Sequence, residues 1–201
     1  MNMDREQTAQ EQKTQGRQLL FFAAGFIVAA LLFLILILVF PLANSLEGSG
    51  STSFASVPVT ISALFSPDAE DDILALINSA TKSIDIEIYT FSSDEIVSAL
   101  IKAKNRGVAV RVIMEKRIAG KQNEETFAAL SQAGIAVHWA SEEFKLTHSK
   151  FMIIDGTKVL VGSHNLSKNA LRVNREASVV FTGPEVVEFM RIFEEDWIRA
   201  T

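Results

Sequence analysis

An uninterrupted apolar run from Leu19 to Phe40 sets the strongest limit on how this chain can fold. As a helix at about 1.5 Å per residue, the run would be about 33 Å long, which is enough to cross the hydrocarbon core of a bilayer. A core helix would carry a polar stripe, which this run lacks, and the apolar region of a cleaved signal peptide is shorter. We therefore predict that residues 19–42 form one transmembrane helix that is not cleaved.

The segments on either side of this run have the composition of flexible chain. Residues 1–18 are rich in Gln and carry charges of both signs, which predicts a polar tail, and residues 43–58 are rich in Ser and Gly, which predicts a linker. Three Lys or Arg residues precede the run, whereas none follows it before Lys82. Because cationic segments stay on the cytoplasmic side, we expect a single-pass membrane protein with a cytoplasmic N-terminus and an extracytoplasmic domain.

From residue 59 onward, patterns typical of strands and helices alternate along the chain. Residues 84–91 alternate apolar and polar side chains, which predicts a strand, and Ser93 or Asp94 can cap the helix that follows. The predicted strands cover residues 59–65, 84–91, 108–114, 135–139, 145–154, 158–161 and 176–181. The predicted helices open at Pro67 and Asp68, and cover residues 93–105, 124–133, 166–171 and 184–199. The sequence thus predicts an α/β domain at residues 59–201, with helices outside a mixed sheet.

Composition excludes several classes of site. The chain has no cysteine, so disulfides, thiolate metal sites and a cysteine nucleophile are excluded. The acidic residues from Asp68 to Asp72 suggest a metal site at first sight, but acids in the first turn of a helix complement its dipole. We interpret them as helix-start charges and predict no metal site.

The stretch with the most chemical information begins at His148. His148 and Lys150 stand two residues apart on a predicted strand, so both side chains should point to one face, with a nucleophile or acid–base group beside a phosphate-binding cation. Ser163 and Asn165 follow the next strand at a predicted helix start, where hydroxyl, amide and free backbone N–H groups can bind phosphoryl oxygens. The four side chains would then converge on one anion.

The spacing of these residues resembles the HxKxxxxDxxxxxxGSxN signature of the phospholipase D superfamily. The match holds at every fixed position, namely His148, Lys150, Asp155, Gly162, Ser163 and Asn165. Similar features flank the signature, namely Phe65-Ser-Pro, the strand with Tyr89, Arg106-Gly107-Val108 and Asn174-x-Glu176. The resemblance covers about residues 59–198 and implies a phospholipase D-like fold, a mixed β-sheet sandwiched by helices.

The resemblance also implies a covalent mechanism. His148 would attack phosphorus to form a phosphohistidine, which water would then hydrolyse. Lys150 and Asn165 would hold the non-bridging oxygens as charge develops, and Ser163 would assist them. A second histidine would protonate the leaving oxygen. No metal or other cofactor is needed, because the ammonium and amide groups stabilise the charge.

Other residues receive supporting roles from the same resemblance. Glu176 matches the position that hydrogen-bonds the catalytic histidine and orients its ring. Asp155 and Gly162 are expected to be structural, and Asp155-Gly156 predicts a hairpin turn. His164 occupies a variable position of the signature, so we interpret it as a residue at the surface or behind the site. We interpret His138 as a packing residue.

The chain carries the signature once, whereas larger members of the superfamily carry it twice. Small members with one signature form homodimers in which each protomer supplies one histidine to a shared site, and we predict the same here. The formal net charge is -5, yet basic residues are concentrated around the signature, where a positive groove would attract a polyanion. The further substrate-binding candidates are Arg117, Lys145, Lys168 and Arg172.

Three functions compete for this sequence. A non-specific endonuclease acting on DNA or RNA is supported by the basic segments and by the compact domain, which is similar to the family's small endonucleases. A lipid hydrolase of the phospholipase D type is supported by the predicted anchor and short linker, which would hold the site near phospholipid. An inactive nucleic-acid-binding protein is the third, and the intact signature argues against it. We favour the endonuclease.

Overall fold

The computed structural model of this chain describes residues 59–117 and 121–201. The predicted tail, transmembrane helix and linker at residues 1–58 lie outside the described residues. Among the described residues, no helix combines the length and the hydropathy needed to cross a bilayer. The strands are β1 (Thr60–Phe65), β2 (Ser83–Ile88), β3 (Ala109–Met114), β4 (Ala136–Trp139), β5 (Lys150–Ile154), β6 (Lys158–Gly162) and β7 (Ala177–Thr182). The helices are α1 (Ala69–Ser79), α2 (Asp94–Asn105), α3 (Gln122–Gln132), α4 (Lys168–Arg172) and α5 (Val186–Arg199).

The described strands form one seven-stranded sheet in the order β1-β7-β6-β5-β2-β3-β4. The strands β2, β3 and β4 run parallel, since the helices α2 and α3 carry the chain back between them. All other neighbouring strands are antiparallel. The prediction of a mixed sheet is therefore confirmed.

Helices cover both faces of this sheet, as the sequence predicts. On one face, the first four helices contribute to the larger apolar core, in which Ile73 of α1 and Leu100 of α2 are fully buried. On the other face, α5 covers a smaller cluster with Phe193 at its centre. The amphipathic pattern of α5 explains this position, because its apolar side packs on the sheet and its charged side faces solvent.

Strand β2 is buried on both faces. Its isoleucines belong to the larger core, while Asp85 and Glu87 alternate with them and lie on the face that α5 covers. Asp85 is neutralised by Arg111, whose Nε lies 2.7 Å from its Oδ1. The strand ends at Ile88, three residues earlier than the periodicity predicts, because the chain then turns to bond the loop around residue 166.

The hairpin turn between β5 and β6 lies where the sequence predicts it. Asp155 and Gly156 both have left-handed backbones, with φ of 54° and 63°, as a tight two-residue hairpin turn requires. The Asp155 carboxylate accepts hydrogen bonds from the backbone N–H groups of Thr81, Lys82 and Ser83. Partial burial alone would raise the pKa of Asp155, but these bonds outweigh it and lower the pKa to about 2. Asp155 thus joins the hairpin to the start of β2.

Two predicted elements near the signature have different bounds in the structure. The strand predicted from residue 145 begins only at Lys150, because side chains rather than a neighbouring strand hold the preceding loop. Glu115, for example, accepts a hydrogen bond of 2.7 Å from the backbone N–H of Thr147. The prediction that His148 lies on the strand is therefore wrong.

The short helix predicted at residues 166–171 is α4, which begins at Lys168. Ser167 is its N-cap, and the Ser167 hydroxyl accepts a hydrogen bond from the backbone N–H of Ala170. Asn165 therefore precedes the helix instead of starting it, and the free backbone N–H groups expected beside Asn165 belong to later residues.

The register of the strand pairs brings the ends of β1 and β6 and the starts of β5 and β7 to the same side of the sheet. This side is formed by the ends of strands and not by an outer strand, and we call it the site edge. Phe65 of β1 pairs with Ala177 of β7 at this edge, and Lys150 begins β5 at the same edge, on the far side of β6. Thr60, where β1 begins, pairs with Thr182 at the opposite edge. The chain thus enters the domain at the edge opposite the signature residues.

Candidate active site

The His148 imidazole lies at the surface, against the ring of Tyr89. The two ring centroids are 4.4 Å apart with planes inclined by 55°. Lys150 is bound to the same residue, since its Nζ lies 2.8 Å from the His148 carbonyl oxygen, 3.3 Å from Nδ1 and 3.4 Å from Nε2. An ammonium group can only donate, so a hydrogen bond from it to the ring has as its acceptor the nitrogen that lacks a hydrogen in the neutral imidazole. That nitrogen carries the lone pair that a nucleophile needs.

Lys150 also lies close to Tyr89, with Nζ 5.1 Å from the ring centroid. Partial burial lowers the pKa of the Lys150 ammonium, and the charge of Glu176 acts in the opposite direction. The sequence predicts that a strand places His148 and Lys150 side by side. In the structure they are adjacent because the Lys150 side chain folds back over the loop that contains His148. The proximity is confirmed although its predicted cause is wrong.

Asn165 has its amide oxygen fixed by the segment that follows β2. Its Oδ1 accepts a hydrogen bond of 3.1 Å from the backbone N–H of Thr90. The backbone N–H of Leu166 donates to the Thr90 carbonyl at 3.0 Å, and the backbone N–H of Ser92 donates to the Leu166 carbonyl at 2.8 Å. With its oxygen engaged in this way, Asn165 presents its amide N–H groups as donors, which is the polarity that a phosphoryl oxygen requires.

Ser163 and Glu176 form a short hydrogen bond across the ends of β6 and β7. The Ser163 hydroxyl donates to Glu176 Oε2 at 2.5 Å, and Asn174 donates to Oε1 at 3.1 Å. The Ser163 bond is the main cause of the lowered pKa of Glu176. Within residues 59–117 and 121–201, no hydrogen bond joins Glu176 to His148. Among the described residues, the Glu176 carboxylate binds Ser163 and Asn174, and the orienting contact implied by the family resemblance is not formed.

Gly162 is required by the close approach of β6 to β7. A Cβ atom at this position would lie 2.2 Å from the Ser178 hydroxyl and 2.4 Å from the Ala177 carbonyl oxygen. The neighbouring Ser163 backbone N–H donates to that same carbonyl at 2.9 Å. The structural role predicted for Gly162 is confirmed, and this role also places Ser163 at the site edge.

Two of the four further substrate-binding candidates form ion pairs within the domain. Arg117 binds the fully buried Glu115 at 2.8 Å and donates to the Phe144 carbonyl at 2.7 Å. Arg172 binds the buried Glu70. Both arginines thus have structural partners within the domain, and their predicted role in binding substrate stays a prediction. Lys145 and Lys168 are exposed, and their role in binding substrate stays a prediction.

The ion pair with Arg172 adds a long-range contact to the acidic cluster before residue 73. Glu70 is buried and has a specific partner, whereas Asp68, Asp71 and Asp72 are exposed at the start of α1. All four acids nevertheless lie at the start of α1, so their interpretation as helix-start charges is confirmed. Hydrophobic periodicity cannot separate the two cases, because the partner of Glu70 lies far along the chain.

Sequence reasoning missed the contacts of two residues at the site. Tyr89 was noted only as part of a family-like strand, yet it touches both His148 and Lys150. His164 is buried, with both ring nitrogens in hydrogen bonds. The sequence signal that could have indicated a role for His164 was its position between two residues of the signature. His138, by contrast, stacks on the Trp197 ring at 4.1 Å, which confirms its interpretation as a packing residue.

Comparisons with known proteins agree with this geometry. Residues 73–197 match the family described as "Cardiolipin synthase, PLD-like domain". A mitochondrial cardiolipin hydrolase from Chlamydomonas reinhardtii is 33% identical over 132 residues, which cover 65% of this chain and 58% of that protein. A phospholipase D from Rickettsia conorii is 32% identical over 141 residues, which cover 69% of this chain and 68% of that protein. The chain thus spans less than two thirds of the cardiolipin hydrolase.

Solved structures show the same fold. The phospholipase D family member Nuc from Salmonella typhimurium superposes with a TM-score of 0.67 at 29% identity, over 72% of this chain and 97% of that one. NucT from Helicobacter pylori superposes with a TM-score of 0.64 at 22% identity, which supports the fold alone. The family match and the fold agree with the signature residues His148, Lys150 and Asn165, and this chain belongs to the phospholipase D superfamily.

Proposed function

We propose that this chain is a metal-independent phosphodiesterase that acts through a phosphohistidine on His148, and that it is a non-specific endonuclease. The observation that carries the chemistry is the ammonium of Lys150 at 3.3 Å from the His148 ring. A cation in this position can neutralise the phosphoryl group as the imidazole attacks it. The Asn165 amide, oriented by Thr90, supplies a second donor to the same group.

The reaction has two steps. In the first, a His148 nitrogen forms a bond to phosphorus while the bond to the leaving oxygen breaks, and a second histidine gives that oxygen its proton. In the second, water attacks the phosphohistidine and gives a proton to the second histidine, while His148 leaves. Lys150 and Asn165 hold the non-bridging oxygens in both steps. Within one copy of the described chain, the other histidines are committed elsewhere, as His164 is enclosed and His138 stacks on Trp197.

A homodimer supplies the second histidine in this proposal, as His148 of a second copy. Its support is the position of His148 at the surface, where another molecule can reach it. Large apolar side chains are also exposed around the site edge, namely Phe65, Phe144, Leu146 and Val173. Exposed apolar surface of this kind is typical of an interface. The active form is therefore a dimer that shares one site.

We favour nucleic acid as the substrate because the chain enters the domain at the edge opposite the site edge. Thr60 begins β1 at the edge opposite the site edge, and a strand of this length spans about 20 Å. A linker from the predicted anchor would thus attach to the edge remote from His148. This arrangement favours a substrate that approaches from the aqueous side. The exposed Lys145 and Lys168 provide positive charge near the site for its phosphates.

Phospholipid is the second candidate substrate, and one observation favours it. Phe144 and Leu146 are exposed on either side of Lys145, a pattern suited to the interface of an anionic membrane. The relative from Chlamydomonas reinhardtii is named a cardiolipin hydrolase. An inactive nucleic-acid-binding protein is disfavoured, because the signature is intact and the Lys150 ammonium lies against the His148 ring.

The substrate is tested with the full-length chain in detergent, mixed in excess EDTA with labelled DNA, RNA or vesicles that contain cardiolipin. We expect cleavage of nucleic acid and a loss of about 10³-fold or more in the His148→Ala variant. The His138→Gln variant is the matched control and should retain the rate. Cleavage of lipid without nucleic acid would overturn the substrate, and loss of activity in EDTA would overturn the metal-independent mechanism.

The proposed location is a membrane, with the N-terminus cytoplasmic and the catalytic domain on the other side. The apolar run at residues 19–40 and the distribution of Lys and Arg around it support this topology. Because the chain has no cysteine, a single cysteine in place of Ala9 or Ser51 can be labelled selectively. A membrane-impermeant maleimide added to intact cells should label Ser51→Cys and spare Ala9→Cys, and the reverse pattern contradicts the topology.

A further inference from the structure

His164 lies in the chain between Ser163 and Asn165, and both of its ring nitrogens are bonded inside the protein. Its Nε2 lies 2.8 Å from the Ser66 hydroxyl oxygen, and its Nδ1 lies 2.6 Å from the Ser178 hydroxyl oxygen. The residue is only 4% exposed, and Ser66 is fully buried. These contacts enclose the ring completely, although the signature leaves this position variable.

The direction of each hydrogen bond follows from the number of hydrogen atoms. The Ser66 hydroxyl donates to the carbonyl oxygen of Ala170 at 2.5 Å, and a carbonyl can only accept. Ser66 has a single hydroxyl hydrogen, so it must accept from His164, which places a hydrogen on Nε2. In the neutral ring Nδ1 is then an acceptor and takes the Ser178 hydroxyl hydrogen. The geometry therefore assigns the neutral Nε2–H tautomer.

This ring connects the loop of the site to three elements of the fold. Ser66 follows β1, Ala170 lies in α4, and Ser178 lies in β7. Ser66 also donates its backbone N–H to the Glu176 carbonyl at 3.1 Å, which ties the same network to the partner of Ser163. A buried bond to a rigid element limits how far a neighbouring residue can move. The two residues on either side of His164 are thus held from behind.

We propose that His164 is a positioning residue, whose neutral Nε2–H ring holds Asn165 and Ser163 in the geometry that phosphoryl transfer requires. The inference rests on the proposed function of the site and extends it to a residue that does not touch the substrate. Burial lowers the pKa of His164, and among the described residues Glu176 is the charged group that opposes this shift. The ring is therefore neutral at neutral pH, as the network requires.

The hydrogen bond of His164 to Ser66 and its hydrogen bond to Ser178 can be removed separately in the full-length chain. In His164→Asn the amide oxygen can replace Nδ1 and keep the bond to Ser178, whereas in His164→Gln the amide nitrogen can replace Nε2 and keep the bond to Ser66. We expect kcat to fall about 10- to 10²-fold in both variants with KM little changed, because a displaced donor is lost mainly in the transition state. His138→Gln is the control for loss of a partly buried imidazole away from the site and should keep its kcat.

Two readouts separate this inference from the proposed function. Nitrogen-15 NMR of labelled histidine should show the neutral Nε2–H tautomer for His164 at pH 7, and an Nδ1–H tautomer or an imidazolium overturns the inference. Orthovanadate, which imitates a phosphoryl group in transfer, should bind the wild type about tenfold or more tightly than His164→Gln. If the wild type cleaves no substrate but vanadate binding is weakened in this way, the proposed function fails and the inference holds. If His164→Gln keeps both its kcat and its vanadate affinity, the inference fails.

Discussion

Replacement of Glu87 by Gln should stabilise the domain above neutral pH. Glu87 is 2% exposed beneath α5, and its Oε2 has no hydrogen-bond partner within the described part of the chain. Burial is the largest cause that raises the pKa of Glu87, from 4.5 to about 7. A hydrogen bond with Ser149 acts in the opposite direction, and Asp196 of α5 adds to the increase. The folded domain therefore holds a proton that the unfolded chain releases.

The expected magnitude follows from this difference in pKa. One pKa unit corresponds to about 1.36 kcal/mol, so a change from 4.5 to about 7 amounts to about 3 kcal/mol. Because the folded-state pKa is the higher one, this stability is present below pH 4.5 and is lost as the pH rises through 7. Gln imitates the protonated acid at every pH. The variant should thus equal the wild type near pH 4 and exceed it by up to about 3 kcal/mol at pH 8.

Urea unfolding at a series of pH values measures this difference. The only two tryptophans of the chain are Trp139 and Trp197, so intrinsic fluorescence reports on the domain even in the full-length chain in detergent. The exposed Glu124 provides a control, because Glu124→Gln should leave the pH dependence unchanged. A Glu87→Gln variant whose free energy of unfolding falls with pH as steeply as that of the wild type would refute the reasoning.

Three further substitutions test other contacts. Gly162→Ala should destabilise the domain by about 1–3 kcal/mol and lower kcat, since its Cβ would lie 2.4 Å from the Ala177 carbonyl oxygen; unchanged melting contradicts this. Asp155→Asn should cost about 2 kcal/mol at pH 7. Because the pKa of Asp155 is lowered to about 2, the wild type should lose this advantage as the pH falls below 4, which acid unfolding measures. Arg117→Met should destabilise the domain, because the buried Glu115 carboxylate would keep only its two backbone N–H donors, and KM should change little; a raised KM without loss of stability would instead support substrate binding.

Much of the site could be predicted from sequence because its key residues lie within a short stretch of chain. His148 and Lys150 are two residues apart, and a single hairpin at Asp155 brings the chain back to the same end of the sheet just before Asn165. Local turn chemistry is enough to predict such an arrangement. The strand and helix order was predictable for the same reason, since apolar periodicity is a local property.

The contacts that depended on distant residues could not be predicted. The partner of Arg172 was not predictable because Glu70 lies 102 residues earlier in the chain. A loop held by Glu115 cannot be distinguished from a strand by the pattern of side chains, so the start of β5 was placed too early. In each case the deciding contact comes from another element of the fold.

The sequence alone determined the family, the order of elements and the residues of the signature, because each of these is encoded by type and spacing along the chain. The tertiary structure alone decided what surrounds them. It placed Tyr89 against His148, enclosed His164 between two serines, and buried Glu87 under α5. Burial and long-range hydrogen bonds arise only when separate elements pack together, and they set the pKa and the orientation of each group.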